Sequence, residues 1–322
     1  MELLVQPDDG ITPIINAIRK AKSTIELTIF RFDMKELQKA LEHGVVRGLK
    51  VHALIAHQAA GEGKKLRKLE LELLAAGVTV SRSADDLVRY HDKLLIIDRE
   101  VLFALAFNWA KLDIDKSRSL GVVTRNKTLV AEAVRLFEAD VARQPYTVGC
   151  EGFLVSPVNA RAALAKLING ARKELLIYEM KISDNQMIAL LHERAKAGVD
   201  IRIIGRMTKK SEGLRIDRMP GMRLHLRAML RDAQELFIGS QSLRALELDK
   251  RREVGVIVND RALIKRFRDV FEEDWASTGF AKSEKKAAEK EKDQEKEKEK
   301  EKDKENEKDK EQEEKREEVR VS

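Results

Sequence analysis

The feature that most limits what this chain can fold into is that its first 280 or so residues are written twice. The stretch from Leu3, LLVQPDDGITPIINAIRKAKSTIELTIF, lies over the stretch from Phe153, FLVSPVNARAALAKLINGARKELLIYEM, on a shift of 150 residues without a gap. Pro7 falls on Pro157, Ala21 on Ala171 and Leu27 on Ile177, and the register holds until Gly48 falls on Gly198. A long gapless self-match marks a duplicated structural unit. Each copy alternates runs rich in Ile, Leu and Val with segments whose apolar residues recur at helical spacing, such as Ile14, Ala17, Ile18 and Ala21. The order strand, helix, strand, helix, strand predicts an α/β unit with helices packed on a sheet.

Composition separates these copies from the rest. From about Lys282 the chain is a Lys/Glu run with no apolar residue between Ala288 and Val319. Such a segment cannot bury enough surface to offset the entropy of ordering it. In its central part opposite charges fall at i,i+3 but like charges at i,i+4, as in Glu295, Glu299 and Asp303. These effects oppose each other, so the expectation is a disordered or partly helical tail that solubilises or contacts other macromolecules. The tail holds 15 basic and 17 acidic residues, which leaves the body a net charge of +9. A basic body suits phosphate-bearing partners. Cys150 is the single cysteine, so an intramolecular disulfide and a Cys-rich zinc site are excluded. No apolar stretch approaches the length of a membrane span, and MELLVQPDDG lacks the features of a signal peptide. The expectation is a cytoplasmic protein without a stable membrane anchor. The predicted organisation is a first lobe at 1–145, a second at 151–280 and a charged tail at 281–322.

After Gly48 the first copy carries an extra segment with a predicted helix from about Lys64 to Ala76. The register then resumes on a shift of 134 residues, which lays HDKLLIID, from His91, over HLRAMLRD, from His225. Both read H-x-[KR]-x4-D. A random histidine of this chain would match that pattern roughly once in a hundred, and two matches at equivalent places are not chance. Side chains alternate along a strand, so His91 projects with Lys93 and His225 with Arg227, while Asp98 and Asp232 fall on the other face. The aspartates read as structural and the histidine–cation pairs as chemistry. If the copies meet about a pseudo-twofold, two imidazoles and two cations converge on one anion. Lys93 and Arg227 would neutralise a phosphate. One neutral imidazole could attack phosphorus while the other, protonated, donates to the leaving oxygen. This chemistry calls for no metal and no cofactor.

With its doubled motif the chain resembles the phospholipase D superfamily over residues 1 to about 280. The resemblance implies two α/β lobes and two-step hydrolysis or transfer of a phosphodiester through a phosphohistidine. His91 is then the expected nucleophile and His225 the acid, then base. The family's GSxN-like element falls on Gly239, Ser240, Gln241 and Ser242, but on Leu105, Ala106, Phe107 and Asn108 in the first copy. Asn108 and Ser242, each 17 residues past a motif histidine, would hydrogen-bond phosphate. The family also places a carboxylate downstream to orient the imidazole. Glu253, 28 residues past His225, fits that role, while its counterpart is Ser119 and leaves His91 to Asp113 or Asp115. Arg227 stands where the family usually has lysine; its fork can hold phosphate by two bonds but is bulkier and of fixed geometry.

Three functions follow: a hydrolase of phospholipid head groups, a nuclease of the same fold, or a non-catalytic phosphate-binding protein. The substrate classes are accordingly a phospholipid or a nucleic acid. His43, His52, His57 and His192 have no matching partners. GEGKK, Gly61 to Lys65, lacks the spacing of a phosphate loop. Trp109 reads equally as a cleft wall or as core, and Trp275 as a packing anchor.

Overall fold

A computed structural model describes residues 1–57, 63–209, 213–287 and 289–290. The first lobe runs β1 (Glu2–Gln6), α1 (Thr12–Lys20), β2 (Thr24–Ile29), α2 (Lys35–Val46), β3 (Lys50–Ile55), α3 (Gly63–Ala75), β4 (Thr79–Arg82), β5 (Arg89–Tyr90), β6 (Leu94–Ile97), β7 (Val101–Leu105), α4 (Lys111–Asp115), β8 (Ser117–Thr124) and α5 (Lys127–Ala142). The second runs β9 (Phe153–Ser156), α6 (Ala160–Asn169), β10 (Glu174–Ile182), α7 (Asn185–Lys196), β11 (Asp200–Met207), β12 (Arg215–Asp217), β13 (Arg223–Leu224), β14 (Arg227–Arg231), β15 (Glu235–Gly239), α8 (Ala245–Asp249), β16 (Arg251–Val258) and α9 (Arg261–Ala276). The duplicated α/β reading holds, and the helix of the extra segment is α3. The GEGKK loop begins outside the described residues, and so does most of the tail. Met1–Trp275 form one compact unit, and the chain from Ala276 is separate, with residues 279–287 helical.

Local sequence accounts for the elements. Pro13 sits in the first turn of α1, where its missing N–H costs nothing. Asn126 caps α5 by accepting from the Thr128 and Leu129 amides, and Asp184 caps α7 in the same way. The β6–β7 and β14–β15 hairpins turn through left-handed pairs, Asp98–Arg99 and Asp232–Ala233, with φ between 50° and 55°. Paired left-handed residues give the tight turn that matches strand twist. Each aspartate then binds the strand start beside it. Asp98 accepts from the amides of Lys22, Ser23 and Thr24 at 2.7–3.0 Å. Asp232 accepts from those of Arg172, Lys173 and Glu174 at 2.8–3.0 Å. Although burial works against the charge, these bonds hold both carboxyls below the ordinary range. The motif aspartates thus sit in hairpin turns at the far end of the strand from the histidines.

The two sheets have one topology. In the first the order is β1-β8-β7-β6-β2-β3-β4, with β13 attached to β8. In the second it is β12-β11-β10-β14-β15-β16-β5, with β9 attached to β16. On one face of the first sheet α1 and α2 bury Ile14, Ile18, Leu37 and Leu41; α6 and α7 bury Leu164, Ile168, Met187 and Leu191 on the second. The sheets meet where β7 and β8 approach β15 and β16.

Two pairings cross between lobes. β5 of the first lobe runs parallel to β16 of the second, with Arg89 opposite Arg251 and Tyr90 opposite Arg252. β13 of the second runs parallel to β8 of the first, with Arg223 opposite Ser117 and Leu224 opposite Arg118. Buried ion pairs accompany them. Arg118 on β8 donates to both oxygens of Asp274 on α9, at 2.9 and 3.0 Å, and Arg252 on β16 reaches Asp140 on α5 at 3.0 Å. Both pairs sit at positions related by the 134-residue shift. Removing one partner leaves a buried charge uncompensated. Arg118→Ala is therefore expected to lower the unfolding free energy by about 3–5 kcal/mol, measured by urea denaturation.

Candidate active site

The crossed pairings carry the motif histidines to the seam between lobes. His91 follows β5, and its amide donates to the Arg252 carbonyl at 2.8 Å; His225 follows β13, and its amide donates to the Arg118 carbonyl at 3.0 Å. Each catalytic candidate is thus hydrogen-bonded through its backbone to the other lobe. Both imidazoles are buried, with residue exposures of 7% and 6%. Phe30 meets the His91 ring edge-on at 4.5 Å.

The carboxylates that face the rings are crossed as well. Glu253 on β16 lies against His91, with Nδ1 at 2.9 and 3.0 Å from its two oxygens. Chain spacing had assigned Glu253 to His225, the histidine of its own lobe. The parallel β5–β16 register overrides that expectation, because it sets His91 beside the residue after Arg252. His225 instead has Asp113 of the first lobe, with Nδ1 3.2 Å from Oδ2 but not aligned as a hydrogen bond. Asp113 is held by the amide and side chain of Asn108, at 2.9 and 2.6 Å, and by Arg223 at 2.6 Å. Asp113 and Asp115 had both been alternatives for His91; Asp113 goes to His225, and Asp115 is exposed. Ser119, the counterpart of Glu253, donates its hydroxyl to the His225 carbonyl at 2.8 Å.

Cations complete the cluster. Lys93 Nζ lies 3.1 Å from His91 Nε2 and also contacts the His91 carbonyl. Arg227 donates from Nε to Ser242 Oγ at 2.8 Å, and its buried Nη1 has no partner. Burial, then Lys93 and Arg227, hold the His91 imidazole well below its usual pKa. Burial and then Arg227 do the same to His225, against the pull of Asp113, with Lys93 adding to the effect. Both cations therefore act on both rings. Burial brings Lys93 down to about 7, although Glu253 opposes it. Burial raises Glu253, although Lys93 and Arg227 oppose that. Burial and the two cations thus hold both imidazoles toward their neutral forms.

The predicted phosphate donors are placed differently from one another. Asn108 spends a side-chain N–H on Asp113, so in this state it positions a carboxylate. Ser242 accepts from Arg227 Nε at 2.8 Å. Sequence reasoning passed over Glu179, which is buried on β10 directly opposite Arg227. Its signal was a glutamate inside an otherwise apolar strand, ELLIYEM. Burial pushes its carboxyl up to about 7, opposed by Arg227 and by the amides of Leu243 and Lys181.

The remaining candidates lie elsewhere. His52 is bonded to Ser81 at 2.9 Å, and His43 and His57 are exposed. Trp109 is 1% exposed and packs edge-on against Phe32, which makes it core. Trp275 stacks on Phe271. A cavity lined by Thr12, Asn16, Lys22 and Asp98 lies at the hairpin-turn end of the first lobe, away from the histidines. Among the described residues no helix is long and apolar enough to cross a membrane.

A duplicated α/β fold with an H-x-[KR] motif at equivalent places in its two lobes defines a class of two-lobed α/β proteins. A family model described as the phospholipase D-like domain of cardiolipin synthase matches residues 14–141 and 164–275, and the chain belongs to the phospholipase D superfamily. Among curated relatives, the mitochondrial cardiolipin hydrolase of Mus musculus is 27% identical over 141 residues, 44% of this chain and 60% of that protein. Polyphosphate kinase 1 of Chlorobaculum tepidum is 26% identical over 306 residues, 84% of this chain and 43% of that protein. Among solved structures, polyphosphate kinase of Porphyromonas gingivalis superposes with a TM-score of 0.72 at 21% identity, over 84% of this chain and 49% of that one. Phosphatidylserine synthase of Haemophilus influenzae superposes with a TM-score of 0.63 at 13% identity, over 86% of each chain. The chain spans less than two thirds of the length of the curated relatives it matches.

The crossed arrangement has a direct spectroscopic consequence. With Glu253 accepting from Nδ1–H, the His91 lone pair lies on Nε2, 3.1 Å from Lys93 Nζ. In 15N spectra of the histidine side chains, Glu253→Ala is expected to mix the tautomers of His91 and leave those of His225 unchanged.

Proposed function

We propose that the chain is a phospholipase D-like phosphodiesterase that works through a phosphohistidine, with a phospholipid head-group diester as its first candidate substrate. The observation that carries this reading is the convergence of two buried, neutral, carboxylate-facing imidazoles on two buried cations. Phosphate seats between Lys93 and Arg227 Nη1. Its negative charge offsets the cations that keep His225 neutral, so His225 gains a proton on binding. His91 Nε2 attacks phosphorus, and the bond from phosphorus to the leaving oxygen breaks as the His225 proton passes to that oxygen. Water then enters, loses a proton to His225 and displaces His91 from phosphorus. An alcohol in place of water would give transfer. Lys93 and Arg227 hold the charge that builds on the equatorial oxygens.

The likeness to cardiolipin hydrolase supports a lipid diester. A second reading, a phosphoanhydride chain such as polyphosphate, is supported by a likeness to polyphosphate kinases that runs over both lobes. Both readings share the covalent step and differ only in the leaving group. The test is to expose wild type and His225→Ala, with chelator present, to labelled phospholipid, single-stranded DNA and polyphosphate. Loss of the acid is expected to slow turnover by about 10²- to 10⁴-fold. It should also leave an acid-labile phosphoryl group on His91, detectable by mass spectrometry under neutral conditions. No label on any histidine with any substrate would overturn the proposal.

A further inference from the structure

We infer that Glu179 is a specificity-determining residue, a buried carboxylate behind Arg227 that makes the site favour phosphate groups bearing one negative charge over those bearing two. The inference rests on the reading of Lys93 and Arg227 as the phosphate-holding cations. Glu179 stands opposite Arg227 in the β10–β14 register and is 1% exposed. Its Oε2 accepts from the Leu243 amide at 2.9 Å and its Oε1 from the Lys181 amide at 3.3 Å. Ser242 receives the guanidinium Nε–H of Arg227 at 2.8 Å, and Glu179 and Arg227 are direct neighbours across the β10–β14 pairing. The carboxylate therefore backs a cation whose buried Nη1 has no hydrogen-bond partner among the described residues.

The strand is shaped around this residue. The β10–β11 register shifts between Glu179 and Ile182. Opposite Glu179 stands Gly205, where a Cβ would fall 1.7 Å from the Glu179 carbonyl oxygen. A bulge and an obligatory glycine are devices that re-aim a side chain and let backbones approach closely. In the first lobe the 150-residue shift puts Ile29 at this position, so Lys93 has no such group behind it. Lys93 is already faced by Glu253, and His225 by Asp113. Glu179 adds a third buried carboxyl, bonded to neither histidine, that carries its charge above about pH 7. A negative charge close to the phosphate repels a dianion twice as strongly as a monoanion. Diesters and the inner phosphates of a chain carry one charge each, whereas monoesters and terminal phosphates carry close to two at neutral pH.

The test uses sulfate as the dianion and dimethyl phosphate as the monoanion, titrated calorimetrically at pH 8 into wild type, Glu179→Gln, Glu179→Asp and Lys93→Met. Wild type is expected to bind dimethyl phosphate more tightly than sulfate. Glu179→Gln should tighten sulfate by about tenfold relative to dimethyl phosphate, and Glu179→Asp should keep the wild-type preference. A wild type that prefers sulfate, or a folded Glu179→Gln with an unchanged ratio, would overturn the inference, and the first arm needs no variant. Binding of both anions that is indifferent to Lys93→Met would instead overturn the phosphate-site reading and take this inference with it. Binding that needs Lys93, with a ratio indifferent to Glu179, removes the inference alone.

Discussion

The site depends on a reciprocal loan of two-residue strands. β5 leaves the first lobe to pair with β16, and β13 leaves the second to pair with β8. Strand pairing fixes side chains in register within a fraction of a residue, because a slip of one residue turns every side chain to the other face. Placing each histidine directly after such a pairing sets its ring against the partner lobe's β-strand. Neither lobe alone can present an imidazole with its backbone bonded and its carboxylate in place. The arginine–aspartate pairs, Arg118–Asp274 and Arg252–Asp140, clamp the same two strands from the opposite side. They hold the recipient strand to the last helix of the other lobe.

Burial sets the electrostatics. Lys93, His91, His225, Glu253 and Glu179 all lie in surroundings that disfavour their charged forms. In the free protein the favoured arrangement shares few charges among many groups. A phosphate changes that balance by giving Lys93 and Arg227 a partner. In the proposed reaction, substrate binding and proton movement are then one event, and the histidine that donates becomes an acid when there is something to protonate.

Much of this was legible in the sequence. The gapless repeat fixed two α/β units, and a doubled H-x-[KR]-x4-D placed their chemistry at equivalent positions. The structural reading of Asp98 and Asp232 matches where they sit, since each binds three strand-start amides. What stayed hidden is what crosses between copies. Glu253 and His91 are 162 residues apart, and counting along one copy ties Glu253 to His225 instead. Two-residue strands carry no period from which a pairing partner could be read. Glu179 was invisible for a related reason: its meaning comes from lying opposite Arg227, and register is a property of the folded sheet. Asn108 fell at a family position, but its side-chain N–H goes to a carboxylate that nothing in the spacing ties to it.

A symmetric scaffold need not give symmetric histidines, and this one does not. Glu253 meets His91 with both oxygens near Nδ1, and it is wholly buried. Asp113 meets His225 obliquely and is shared with Asn108 and Arg223. A carboxylate already neutralised by a guanidinium stabilises an imidazolium less, so His225 releases a proton more readily than His91 would. These differences support the proposed roles of His91 as nucleophile and His225 as acid. Among the positions at which the two copies differ are Ser119, the counterpart of Glu253, Lys93, the counterpart of Arg227, and Ile29, the counterpart of Glu179.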